Sequence, residues 1–91
     1  SKYKQGMDLY IEALRSGTIP KDTLEGTLLF ISKRKKLHPA PYLEFLEGVI
    51  HYFGLKNKNE SDRLFAKFLS ENQTNNQLQC FIDKAKAYLI N

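Results

Sequence analysis

Apolar residues recur at intervals of three and four along almost the whole of this 91-residue chain, and no segment of four or more residues alternates cleanly in the manner of a strand. That rhythm restricts the chain to an all-α fold. Five helices are predicted. The first runs from about Tyr3 to Ser16 with Tyr3, Met7, Tyr10, Ile11 and Leu14 on one face, and Gly17 stands where a left-handed C-terminal cap belongs. The second starts at Pro20 or Asp22, because Asp22 and Glu25 have the spacing of a capping box. Its stripe is Leu24, Leu28 and Ile31, widened by Leu29 and Phe30. Gly26 inside it costs about 1 kcal/mol relative to alanine, so either a neighbour approaches closely there or the residue is tolerated.

The second helix ends in a run of cations, and Leu37-His38-Pro39-Ala40-Pro41 follows as a rigid break, since proline fixes its own backbone and turns the preceding residue away from helix. The third helix, about Pro41 to Phe53, is apolar nearly all round and belongs in the middle of the fold, with Gly54 closing it as Gly17 closes the first. Asn59, with Asp62 three residues on, is expected to cap the fourth helix, which carries Leu64, Phe65, Phe68 and Leu69. After a polar turn from Glu71 to Asn76, a closing helix reaches Ile90 with Leu78, Phe81, Ile82, Ala85, Tyr88 and Leu89 on one face. A chain of this length supports one core, so residues 1–91 are read as a single domain. Its lone cysteine, Cys80, leaves packing as the source of stability, and no apolar run approaches the roughly 20 residues a membrane span needs. A cytoplasmic setting is expected.

The first two helices correspond loosely to the next two. Tyr3 matches Tyr42, Met7 matches Leu46, Ile11 matches Ile50, and Phe30-Ile31-Ser32 matches Phe68-Leu69-Ser70, an offset of 38 or 39 residues. Two antiparallel hairpins plus a capping helix is one arrangement this supports, and a closed five-helix bundle is the other. At Phe45, Gly48, Tyr52, Ser61, Phe65 and Phe68 the second hairpin resembles a tetratricopeptide (TPR) repeat, although Gly48 is displaced from the family's small position and the terminal proline is missing. The stretch Gly54-Leu55-Lys56-Asn57-Lys58-Asn59-Glu60-Ser61 also resembles a turn of the small TPR-like co-chaperones of type III secretion needle subunits. That likeness implies an adaptor or chaperone binding a partner helix or peptide. The small size, basic balance and proline-introduced third helix are similar to those of bacteriocin immunity proteins, which are small helical bundles.

Little in the chain points to catalysis. Glu44, Glu47 and His51 fall on one narrow face of the third helix, where they would hold a metal or move a proton only with a further ligand; otherwise they form its wet stripe. No catalytic, metal or cofactor site is assigned, and the chain is read as no enzyme. Two binding features are assigned instead. The aromatic surplus suggests a groove between the first and third helices lined by Tyr3, Met7, Tyr10, Tyr42 and Phe45, unless these side chains are core. Lys33, Arg34, Lys35, Lys36 and His38 form a basic patch, extended by Lys56 and Lys58, that suits nucleic acid, another polyanion or an acidic protein segment. The alternative is a solvated helix end whose cations face the negative pole of the helix dipole.

Overall fold

Five α-helices are present in the structure, a computed structural model that describes the backbone of residues 2–90 and the side chains of residues 4–90. They are α1 (Lys2–Arg15), α2 (Lys21–Leu37), α3 (Tyr42–Val49), α4 (Lys58–Glu71) and α5 (Gln79–Ile90). Among the described residues there is no strand. The third helix does not stop at Val49: its hydrogen bonding widens into a π-helical segment, Ile50–Gly54, and a 3₁₀ turn, Asn76–Leu78, leads into α5.

A helix apolar on several sides must be covered on several sides. Together α3 and its π-helical continuation touch every other helix: α4, α5 and α2 lie against α3, and α1, α2 and α4 against the continuation. Packing is most extensive between α3 and α4 and then between α4 and α5. By contrast α1 and α2 barely meet each other, and each rests on the π-helical segment. The radius of gyration, 12.4 Å, is close to the roughly 12 Å of a packed unit of this length.

The centre is aromatic. Phe45 is wholly buried and stacks on Phe81 of α5 with ring centroids 5.0 Å apart, while Phe65 and Phe68 of α4 lie 5.7 and 5.5 Å away in tilted contact. Gly48, one turn along α3, lets Phe65 lie flat against the helix backbone: a Cβ there would stand 2.7 and 2.9 Å from two atoms of the ring and closer still to a third. Met7, Ile11 and Leu14 of α1 and Leu24 and Ile31 of α2 complete the same core.

The ends of the helices show where local signals compete. Gly17 takes the left-handed conformation expected of it, with φ +73°. Gly54 does not; the left-handed residue after the third helix is Lys56, with φ +56°. Gly54 instead admits Leu24 and Leu14, whose methyl groups would lie 2.8 and 3.2 Å from a Cβ. The cap of α4 is Asn57, which accepts a hydrogen bond from the Glu60 amide at 3.3 Å, and not Asn59. The capping box at Asp22 and Glu25 does not form either, because the helix starts at Lys21 and Asp22 already lies in its first turn, where its charge still suits the dipole.

Candidate functional site

The groove expected between the first and third helices is largely filled by its own lining. Phe45 has no exposed surface and Met7 is 8% exposed, so both belong to the core, where the stacking on Phe81 holds Phe45. Tyr10 is half-buried against the core, and burial pushes its pKa up. Tyr42 is half-buried against the core as well. The side chain of Tyr3 lies outside the described residues.

The basic patch is divided. Lys35 turns inward and pairs with Glu47 of α3 at 2.8 Å, which fastens α2 to α3. Lys33, Arg34, Lys36 and His38 remain exposed, and among the described residues Lys33, Arg34 and Lys36 form no ion pair. Lys58 leaves the rim: its ammonium bonds Asp62 and the Tyr88 carbonyl 3.1 Å away, a cation at the negative end of α5. Lys56 is exposed in the loop before α4.

Beside the remaining cations lie three of the exposed large apolar side chains among the described residues. Leu29 is 58% exposed, Phe30 68% and Leu37 75%. All three sit on α2, on the side away from the buried Leu24 and Ile31. Gly26, Phe30, Lys33 and Leu37 follow one another at spacings of four, three and four residues and so form one seam, with Leu29 next to it. At the N-terminal end of this face stand Asp22 and Glu25, both exposed and without an ion pair among the described residues. Outward-facing α2 is therefore acidic at one end, apolar in the middle and basic at the other end. Gly26 lies within it, and a Cβ at that position would meet nothing within 4 Å.

Sequence reasoning placed Leu29 and Phe30 on the buried stripe and Leu37 in the linker. Helical phase could have found them, since positions five and six residues beyond Leu24 fall at least a third of a turn from it at 3.6 residues per turn. Leu37 was obscured by the prolines that follow, although α2 runs on through it.

Glu44, Glu47 and His51 do not act together. Glu47 is held by Lys35, while Glu44 is buried beside Pro41, with Lys67 Nζ 3.3 Å from its Oε2 and Glu71 beside it in the lining of a cleft of about 310 Å³. His51 is half-buried on the π-helical segment. Among the described residues no group of three or more His, Cys, Asp or Glu side chains gathers as metal ligands would. Cys80 is a free, half-buried thiol, and its neighbour one turn on, Lys84, is engaged with Asp8 of α1 at 3.3 Å.

Burial raises the pKa of Glu44, and the adjacent Glu71 raises it further, against the opposing pull of Lys67. The folded protein thus holds a proton there that the unfolded chain releases near its ordinary value of 4.5. Stability from this group is fully present below about pH 4.5 and is lost as pH rises through the raised value. Glu44→Gln is expected to flatten that loss and to be more stable than the parent at pH 8, the two converging near pH 4.5. Urea denaturation at a series of pH values checks it; a glutamine variant less stable at pH 8 would mean that the Lys67 pairing outweighs burial and Glu71.

Compared with known protein families, with curated proteins and with solved structures, the chain finds no match.

Proposed function

We propose that this domain is a non-enzymatic protein-interaction module, of adaptor or chaperone type and cytoplasmic, whose contact surface is the outer face of α2. The observation that carries the reading is the exposure of Leu29, Phe30 and Leu37 on one side of a regular 17-residue helix, bordered by Lys33, Arg34 and Lys36. Scattered apolar residues on a surface are ordinary, but a row of large ones along a helix seam is the pattern by which one helix receives another. The surface replaces the groove between the first and third helices, and it keeps the partner class, a helix or peptide.

The TPR-like reading of α3 and α4 draws support from the same structure. Phe45 and Gly48 on one helix meet Phe65 on the other, and Ser61 is buried at the start of α4, where it bonds the Lys58 carbonyl at 2.9 Å. A small residue against a large one is how the two helices of such a hairpin come close.

A polyanion-binding module is the second reading, favoured by the exposure of Lys33, Arg34, Lys36 and His38. It leaves the apolar seam unexplained, since a nucleic-acid backbone would sit against Phe30 and Leu37 without gain.

Affinity capture with the intact domain distinguishes the two. A Phe30→Ser, Leu37→Ser variant is expected to lose bound protein at least 10-fold, whereas Leu9→Ser, at an exposed leucine on α1, loses none. Retention by the seam variant, with loss when Lys33, Arg34 and Lys36 become glutamine and a steep fall with salt, would transfer the function to a polyanion.

A further inference from the structure

We infer that the helix received by the outer face of α2 is α2 of a second copy of this chain, laid antiparallel to form a two-fold symmetric dimer. The inference rests on the reading of that face as the contact surface and adds the identity of what covers it.

The face is complementary to itself. A two-fold axis across the middle of α2, near Leu29 and Phe30, sets the first half of one helix against the second half of its mate. Residues on one flank of a helix then meet the same flank of the other, with the chain direction reversed. Asp22, Glu25, Leu29 and Lys36 share one flank at helical phase, so Lys36 of each copy meets Asp22 and Glu25 of the other. Phe30 on the opposite flank meets its own equivalent, and Leu37 reaches the Thr23 end. Along the centre of the seam Lys33 passes over Gly26.

That last pairing accounts for a residue the monomer does not. A glycine in the middle of a helix weakens it, and the space it leaves can admit a close neighbour. Among the described residues of one chain nothing lies within 4 Å of a Cβ at Gly26, as is also true of Gly6 on α1. In the dimer the missing side chain is where the aliphatic stem of Lys33 lies, its ammonium carried toward Asp22 of the mate. Unlike Gly48 and Gly54, whose close neighbours are inside the chain, Gly26 has its neighbour in the second copy.

The charge order also decides between occupants. An anionic membrane would attract Lys33, Arg34 and Lys36 but meet Asp22 and Glu25 on the same face, and nucleic acid would meet the same carboxylates. A second α2 satisfies both ends at once. A pair of four-turn helices gives an interface at the small end of the specific range, about 1,000 Å² in total, so association in the micromolar range is expected.

Sedimentation equilibrium of the intact domain from 5 to 500 μM, in about 50 mM salt, tests the dimer. The expected result is a monomer–dimer equilibrium that Phe30→Ser shifts to monomer by at least 10-fold. Lys36→Glu should weaken the dimer, as should Asp22→Lys with Glu25→Lys, and the triple variant Asp22→Lys, Glu25→Lys, Lys36→Glu should restore it. Gly26→Leu should weaken it at least 10-fold while leaving the circular dichroism of the monomer unchanged. A monomer throughout the range would overturn the self-pairing, with the wider reading of the face still decided by the capture experiment. So would a dimer that ignores Phe30→Ser, or one that the triple variant fails to restore. Binding of the intact domain to phosphatidylserine vesicles, lost in Phe30→Ser, in a protein that stays monomeric would assign the face to lipid.

Discussion

Phe45→Ala is expected to lower the stability of the domain by about 3 to 5 kcal/mol and its Tm by about 15 to 30 °C. A chain of this size has a total stability of roughly 5 to 14 kcal/mol, so the variant would be substantially unfolded at 37 °C if the parent lies at the lower end. The reason is the position of one ring. Phe45 has no exposed surface, touches Phe65, Phe68 and Phe81, and lies where α3, α4 and α5 all contribute aromatic side chains. Removing it leaves a hole whose walls belong to three helices and cannot collapse toward one another without sliding along their axes. Thermal and urea unfolding followed by circular dichroism measure the loss. An effect under 1 kcal/mol would mean that the ring is a lid on the core and not its keystone, and the groove first expected from the sequence would return as a live arrangement.

The second large effect is a pair of opposite signs from one chemical change. Gly48→Ala and Gly26→Ala each add a methyl group inside a helix, and by helix propensity alone each should stabilise by about 1 kcal/mol. At position 26 the methyl enters open space, so the monomer is expected to gain about 0.5 to 1 kcal/mol. At position 48 it enters the face of the Phe65 ring, which is itself wholly buried and held by Phe45 and Tyr52, so neither partner can move aside. A net loss of about 1 to 3 kcal/mol is expected there. Phe65→Leu in the Gly48→Ala background should cost less than Phe65→Leu alone, since the two sites share one volume. Denaturant midpoints for the parent and the four variants check this, and equal effects at the two glycines would remove the close α3–α4 approach from the account of the fold.

How much of this was legible beforehand varies with the residue. Helix number, the central position of the third helix and the Gly17 cap follow from periodicity and from the cost of a left-handed backbone, both local properties. Caps were legible in kind but not in register: Asn57 and Asn59 are equally good cap residues by type, and the left-handed turn at Lys56 decides that the chain enters α4 at Lys58. Gly54 looked like Gly17 because both follow a helix, yet its role depends on Leu14 and Leu24, which are distant in sequence. Tyr3, Met7, Tyr10, Tyr42 and Phe45 were grouped from the surplus of aromatic residues, and composition does not report how many layers cover the face of a helix. For the seam on α2 the difficulty is reversed. The helix is apolar on two opposite sides, and a pattern search that expects one apolar side assigns both to the interior. Electrostatic roles were least legible, since Lys33 to Lys36 are four consecutive cations in sequence and only the structure separates Lys35, bound to Glu47, from its neighbours.

The π-helical segment Ile50–Gly54 has a bearing on how the molecule would carry a load. The two N-terminal helices touch each other hardly at all and lean on this stretch, while α4 and α5 are clamped to the regular helix that precedes it. Backbone hydrogen bonds there span a wider ring than in α3, as in that from the Leu55 amide to the Ile50 carbonyl at 3.0 Å. A force applied to the outside of α2 reaches the rest of the protein through α3 and through these five residues. Load on α2 is thus shared between the π-helical segment and the Lys35–Glu47 pair on α3, and load on α1 between that segment and the Asp8–Lys84 pair to α5.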